Sequence, residues 1–260
     1  MPVAFVSDFG PMPAFEEDDY TEALGSLGQK LPKPKGIVVM SGHWDTEDGP
    51  LEVTSSINPE TIHDYSGFPR EFYQKQYPCP GNPALAGEVA GCLRASGFKS
   101  QLNPRRGLDH GAWVPLSRLY PRAHVPVVQL SVPAGRESLK IFEMGKALFE
   151  LRKREILILS CGALIHNLRL VHFEGKNDVP DSWASEFDQW LEPKIEAGAI
   201  EELEKYKALA PHAAMAAPSP EHFDPLFFAL GAGAGEQVRR HFHSIRYGNG
   251  LFLAFTIGNY

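Results

Sequence analysis

The 260-residue chain has little cysteine, a deficit of basic charge and no long apolar run. Its three cysteines, Cys79, Cys92 and Cys161, are odd in number and form no CxxC pair. That argues against a disulfide framework or a zinc finger and fits reduced thiols in a cytoplasm. Lys and Arg number 25 against 32 Asp and Glu, leaving a formal net charge of −7. This is the wrong sign for the basic surface that non-specific nucleic-acid binding requires. No apolar stretch approaches the length that spans a bilayer. The start, Met1-Pro-Val-Ala-Phe-Val6, lacks the basic region and long apolar segment of a signal peptide. The expectation is a cytoplasmic protein with no nucleic-acid or membrane partner. Nothing in the sequence decides between a monomer and a homo-oligomer. A GxSxG motif is also missing, which removes one route to serine-based hydrolysis. There is no internal repeat and no low-complexity linker, so residues 1–260 read as a single domain.

What is present is an ordinary globular composition, 43% hydrophobic and 22% charged, ample for a buried core. The organising stretch is Gly36-Ile-Val-Val-Met-Ser-Gly-His-Trp44. Its apolar residues run without alternation, as in a strand buried on both faces. Further strands are expected at Pro2–Val6, Leu51–Ser55, Val125–Ser131 and Ile156–Ser160. Helices are expected at Phe15–Leu27, Asn82–Ser96, Val114–Leu119, Ser138–Arg154, Ser182–Ala197, Ile200–Ala208 and Glu221–Leu230. The segment Ile245–Ile257 reads as one or two closing strands, split by Gly248-Asn249-Gly250. The expected fold is α/β, with a central, largely parallel or mixed sheet covered by helices on both faces.

In such sheets ligands bind beyond the carboxyl ends of the strands. Asp8 and His43 follow two of the buried strands closely, and His166 follows a third at a few residues' distance. His222 lies in the first turn of the late expected helix, His110 in the Asp109-His-Gly111 loop and His63 in the Thr61-Ile-His-Asp64 loop. The histidines at 124, 172, 212, 241 and 243 lie in segments that read as surface loops or strand edges. Two His and one carboxylate on one metal, with open positions, is the arrangement of non-haem Fe(II) oxygenases. Asp8, His43 and His222 could supply it, with His166 or His110 as a general base or hydrogen-bond donor. Zinc hydrolases use similar ligands, and residue types alone do not separate the two from hydrogen-bonded loop histidines. Trp44, Phe68 and Trp113 are candidates for the walls of an aromatic pocket, although core packing is the common fate of Trp.

Seven motifs occur in order: SGHW (41–44), TIHDYSGFP (61–69), YPCPGNPALA (77–86), GLDHGAW (107–113), VPVVQLSV (125–132), CGALIHNLR (161–169) and PSPEHFDPLFFALGA (218–232). Together they resemble the class III extradiol ring-cleavage dioxygenases of the DOPA 4,5-dioxygenase (LigB-like) type, nearly end to end. The resemblance implies a single α/β domain that uses O2 to cleave a catechol, a small aromatic diol, at a non-haem Fe(II) ion. Zinc can occupy the same site. It places metal ligands at His43 and His222, a contact to substrate hydroxyls at His110 and a position near the pocket mouth at His63; the family's histidine after the GALI-type turn falls on His166, which is read here as the acid/base group rather than a ligand. The product would be a muconic semialdehyde.

One departure stands out. The family's first metal ligand is a His in a GHGSPM loop, whereas this chain reads Ser7-Asp-Phe-Gly-Pro-Met12, with Asp8 at that place. Three readings are open: Asp8 itself binds the metal; the metal is weakened or lost, leaving a binding protein without turnover; or the residue is an introduced change. The expectation carried forward is retained metal binding through Asp8, because Asp is a competent oxygen ligand. Phe9 in place of Gly also restricts the loop, since Phe rarely accepts a positive φ.

Overall fold

Why the buried strands tolerate apolar residues on both sides is clear from their neighbours. The computed structural model describes residues 1–46, 49–133, 135–172 and 179–259. Among these, eight strands form one sheet: β1 (Val3–Ser7), β2 (Gly36–Asp45), β3 (Leu51–Thr54), β4 (Ser100–Asn103), β5 (Val127–Val132), β6 (Ile156–Gly162), β7 (Val238–Arg246) and β8 (Gly250–Ile257). Their order is β4-β3-β5-β2-β6-β1-β8-β7. The centre, β5-β2-β6-β1, is parallel, while β3–β5, β1–β8 and β7–β8 are antiparallel, so the sheet is mixed.

The helices are α1 (Asp19–Lys30), α2 (Pro83–Ala95), α3 (His110–Leu119), α4 (Ser138–Ala147), α5 (Phe149–Arg152), α6 (Ser182–Ala197), α7 (Ile200–Glu204), α8 (Tyr206–Leu209), α9 (Ala213–Ala216) and α10 (Asp224–Ala232). Alternate side chains of each central strand enter different cores. Val3, Phe5, Val38, Met40 and Ile158 pack with α2, α4, α6 and α10. Ala4, Val6, Ile37, Val39, Leu157 and Leu159 pack with α1 and α3. Both faces are therefore covered.

Several boundaries differ from the sequence reading. The edge strand β4 (SQLN) was not anticipated, because it carries one apolar residue and its side chains are largely exposed. β7 begins at Val238 rather than near Ile245, again on a half-exposed edge where no apolar run forms. The first helix starts at Asp19, not Phe15, where Asp18 and Thr21 form a reciprocal capping box. α3 starts at His110, four residues before the expected Val114, because the Asp109 carboxylate accepts the Ala112 N–H and caps it. The span 138–154 divides into α4 and α5 at Leu148. The late helix α10 begins at Asp224, so His222 precedes it instead of lying in its first turn.

Gly28 lies where α1 crosses α3, and a Cβ there would overlap the Leu119 carbonyl. Gly28→Ala is expected to destabilise the fold by about 1–3 kcal/mol, the usual cost of overpacking, outweighing the gain in helix propensity. Urea unfolding should show a lower midpoint with an unchanged slope. An unchanged midpoint would contradict so close a crossing.

Candidate metal and catalytic site

Three adjacent parallel strands, β2, β6 and β1, end on the same side of the sheet. β1 hands over to Asp8, whose N–H donates to the Gly162 carbonyl at 3.1 Å. His43 lies near the end of β2, and His166 follows β6 by four residues. His222 arrives from the segment before α10. Its close approach depends on glycine: a Cβ at Gly42 would overlap the Glu221 carbonyl, and one at Gly162 the His222 carbonyl. Gly111 has a similar role in the first turn of α3, since a Cβ there would overlap the Asp8 carboxylate and crowd His43 and Ser41. The Gly of SGHW, CGAL and DHGAW is thus a space for backbone or carboxylate, not a flexible joint.

The result is a tight cluster. Asp8, His43 and His222 can each offer one ligand atom, all within 4.8 Å of one another. Asp8 Oδ2 lies 2.8 Å from His43 Nε2, and Asp8 Oδ1 lies 3.9 Å from His110 Nε2. The His43 ring is 4.0 Å from that of His110 and 4.7 Å from that of His222, centroid to centroid, and His166 and His222 are 4.9 Å apart. Asp8 Oδ1, His222 Nδ1 and His166 Nδ1 are buried without a hydrogen-bond partner. Buried polar atoms in this state are costly, and a cation among Asp8, His43 and His222 would satisfy the first two. The donor set, two imidazoles and a carboxylate, suits Fe(II) and also zinc.

Electrostatics agree with that fit. Burial alone would raise the Asp8 carboxyl, but His43, His110 and His222 together hold it well below the usual carboxylate range. Burial pushes His43 down, yet the Asp8 carboxylate pulls it up to about 9. A metal ion would take the place of that His43 proton. Burial, reinforced by positive His43, holds His222 down to about 3, keeping its imidazole neutral and able to ligate. Burial also lowers His166.

Above the cluster is a cavity of about 420 Å³ lined by Phe9, Met12, Asp64, Tyr65, Phe68, His110, His166 and Leu168 as well as the three candidate ligands. Of the residues expected in a pocket wall, Phe68 is there. Trp44, Trp113 and His63 do not line it. Trp44 is buried under the Arg106 guanidinium, 5.2 Å from its ring centroid. Trp113 is fully buried and donates Nε1–H to the Ile62 carbonyl at 2.8 Å. His63 Nε2 is 2.8 Å from the Lys75 carbonyl and braces the loop that carries the wall. The residue next to it was missed: Asp64 Oδ1 accepts both the backbone N–H and Nδ1–H of His110, each at 2.9 Å. The TIHD motif held the signal, because a carboxylate next to the histidine is a candidate orienting partner. Tyr65, also missed, stands edge-on to His110 with centroids 5.4 Å apart.

Asp109 lies one layer further in. It is fully buried and accepts from Ser41 Oγ at 2.7 Å and from Gln129 Nε2. The backbone N–H of His43 donates to the same Ser41 Oγ at 3.3 Å. The cap of α3 thus also ties α3 to the strand that carries His43.

Comparison with known proteins agrees with this architecture. Residues 7–252 match the family model described as the catalytic LigB subunit of aromatic ring-opening dioxygenase. The chain is 41% identical to a 4,5-DOPA dioxygenase extradiol of Beta vulgaris, over 90% of this chain and 87% of that one. It is 35% identical to a 4,5-DOPA dioxygenase extradiol of Escherichia coli K12, over 99% of this chain and 95% of that one. A crystal structure of an uncharacterized protein from Escherichia coli K12 superposes with a TM-score of 0.84 at 33% identity, covering 99% of this chain and all of the other. With the strand-end site, the cavity and these likenesses in view, the chain belongs to the LigB family of aromatic ring-opening dioxygenases and is an extradiol ring-cleavage dioxygenase.

Proposed function

We propose that the protein is a non-haem Fe(II)-dependent dioxygenase that opens a catechol, DOPA-like or another aromatic diol, beside its hydroxyls to give a muconic semialdehyde. The observation that carries this is the Asp8–His43–His222 cluster beneath a cavity with aromatic walls. Both atoms of O2 enter the product, so no external reductant is consumed. Bound Fe(II) would supply the redox-active centre at which the diol and O2 react, with Asp8, His43 and His222 holding it.

The chain's own residues then have separable tasks. Asp8, ionised throughout the neutral range, offsets part of the metal's charge. His166 is neutral because burial disfavours its charged form, so it can accept a proton from a substrate hydroxyl and return it later. Asp64 takes the Nδ1–H of His110 and fixes that ring, leaving Nε2 to meet a substrate oxygen. Tyr65 and Phe68 flank the ring of the diol and exclude water from it.

Four outcomes test this reading. After anaerobic loading with Fe(II), a panel of catechols should give O2 uptake and a yellow product from the protein as it stands. Activity appearing only in Asp8→His would mean that the pocket is right but Asp8 does not support a working iron site. Asp8→Ala should lower the metal bound per chain at least about tenfold under limiting Fe(II), read by metal analysis, since it removes a ligand. His166→Ala should reduce turnover by about 10²–10⁴-fold, the range for a lost general base, at nearly unchanged metal content; loss of metal would move His166 into the ligand set. Asp64→Ala should cost about 10–100-fold in kcat, as for loss of a partner that orients a working histidine, again with metal retained. A wild-type rate in Asp64→Ala would remove His110 orientation from the account.

A further inference from the structure

We propose that Arg136 is a positioning residue for the metal site, bridging the two segments that carry His43 and His222; this rests on Asp8, His43 and His222 being the metal-holding set. The argument starts from an irregularity in β2. Its pairing with β5 is regular through Met40 opposite Leu130, and resumes only at Asp45 opposite Val132. Residues 41–44 therefore stand opposite Ser131 alone, and His43 lies inside this bulge. On the other side, the pairing of β2 with β6 ends at Ser41 opposite Cys161. The regular register therefore lapses at His43: its N–H is held from below by Ser41 Oγ, and the far side of the bulge is fixed by where the strand is caught again.

It is caught at Asp45 and Thr46. The Thr46 N–H donates to the Val132 carbonyl at 3.3 Å, and the Asp45 carboxylate pairs with Nη2 of Arg136. Nη1 of the same guanidinium donates to Asp224 Oδ2 at 2.7 Å. Asp224 opens α10, two residues after His222, just as Asp45 is two residues after His43. Asp224 is 2% exposed. One planar fork therefore spans both ligand-bearing segments, each carboxylate on its own nitrogen, a fixed spacing that the point charge of an ammonium does not impose.

The backbone supports the same reading. Gly135 and Arg136 are consecutive left-handed residues, with φ of 77° and 43°. A non-glycine residue there is costly and is kept when something else depends on it. Other contacts also hold the His222 segment: its close approach at Gly42 and Gly162, the bond from Ser160 Oγ to the Pro225 carbonyl at 2.5 Å, and the stacking of Phe223 on Tyr206. The glycine and serine contacts seat it against the sheet. Among the described ion pairs and hydrogen bonds, the Arg136 bridge is what couples it to the freed end of β2.

The test compares Arg136→Gln with Arg152→Gln. Arg152 is equally a bridging arginine, bonded to the Met1 and Ala232 carbonyls and to Glu236, but it precedes β6 at the other end of the sheet. Each purified variant is titrated anaerobically with Fe(II), and with Co(II) to read the visible d–d band; thermal midpoints of the metal-free proteins are recorded in parallel. The expected result is at least about tenfold weaker metal binding and an altered Co(II) band in Arg136→Gln, by analogy with loss of an outer partner of a metal site. Arg152→Gln should bind as wild type whatever its thermal midpoint. Arg136→Lys keeps the charge but not the fork; it should lie between the two and serves if Arg136→Gln does not fold. Wild-type affinity and band in the Arg136 variants, or an equal loss in Arg152→Gln, would overturn the positioning role. A wild-type protein that binds neither metal would instead overturn the ligand assignment beneath it.

Discussion

Asp8 is 3% exposed, with one carboxylate oxygen against His43 and the other buried without a hydrogen-bond partner. Removing such a group from water costs several kcal/mol unless positive charge meets it. Much of the surrounding structure answers that cost. His43 sits charged beside it, while His110 from α3 and the neutral His222 from the segment before α10 bring ring nitrogens close to it. These groups come from four places in the chain, so the carboxylate holds together parts of the fold that the sheet alone would leave apart.

Bringing four segments to one point needs space as well as charge. Gly42, Gly111 and Gly162 supply it, each at a place where a single methyl would meet backbone or carboxylate. The cluster is therefore compact because side chains are missing around it. Behind it, Asp109 caps α3 and binds Ser41 and Gln129, so the helix that carries His110 is tied to the strand that carries His43. A site that must hold ligands to fractions of an ångström is better built on joined elements than on free loops.

The loop that follows Asp8 accommodates its residues without strain. Left-handed backbone appears at Gly10, with φ of 79°, and not at Phe9, so Phe9 fits without strain. Its ring fills space against Phe252, 5.4 Å between centroids, and abuts the glycine at position 250. The Asp8 carboxylate is met closely by its neighbours: His43 Nε2 reaches it at 2.8 Å, and Gly111 leaves room for the carboxylate itself. The same loop then continues through Met12 as one wall of the cavity.

The sequence by itself determined the fold class, because uninterrupted apolar runs such as Ile37–Met40 and Ile156–Leu159 are stable only as strands covered on both faces. It also determined where chemistry could lie, since Asp8 and His43 follow such runs directly, and the order of the motifs pointed to the family. Only the tertiary structure decided which side chains meet. Whether Trp44 and Trp113 face a pocket or a core depends on strand register and helix contacts, and both pack inside the protein. His63 and Asp64 are neighbours in sequence, but it is Asp64 that turns to His110. The edge strand β4 and the first part of β7, Val238 to Ser244, escaped the sequence reading because half-exposed strands carry no apolar run. Arg136 was invisible for a different reason: its two carboxylates lie 91 and 88 residues away, on elements joined only by folding.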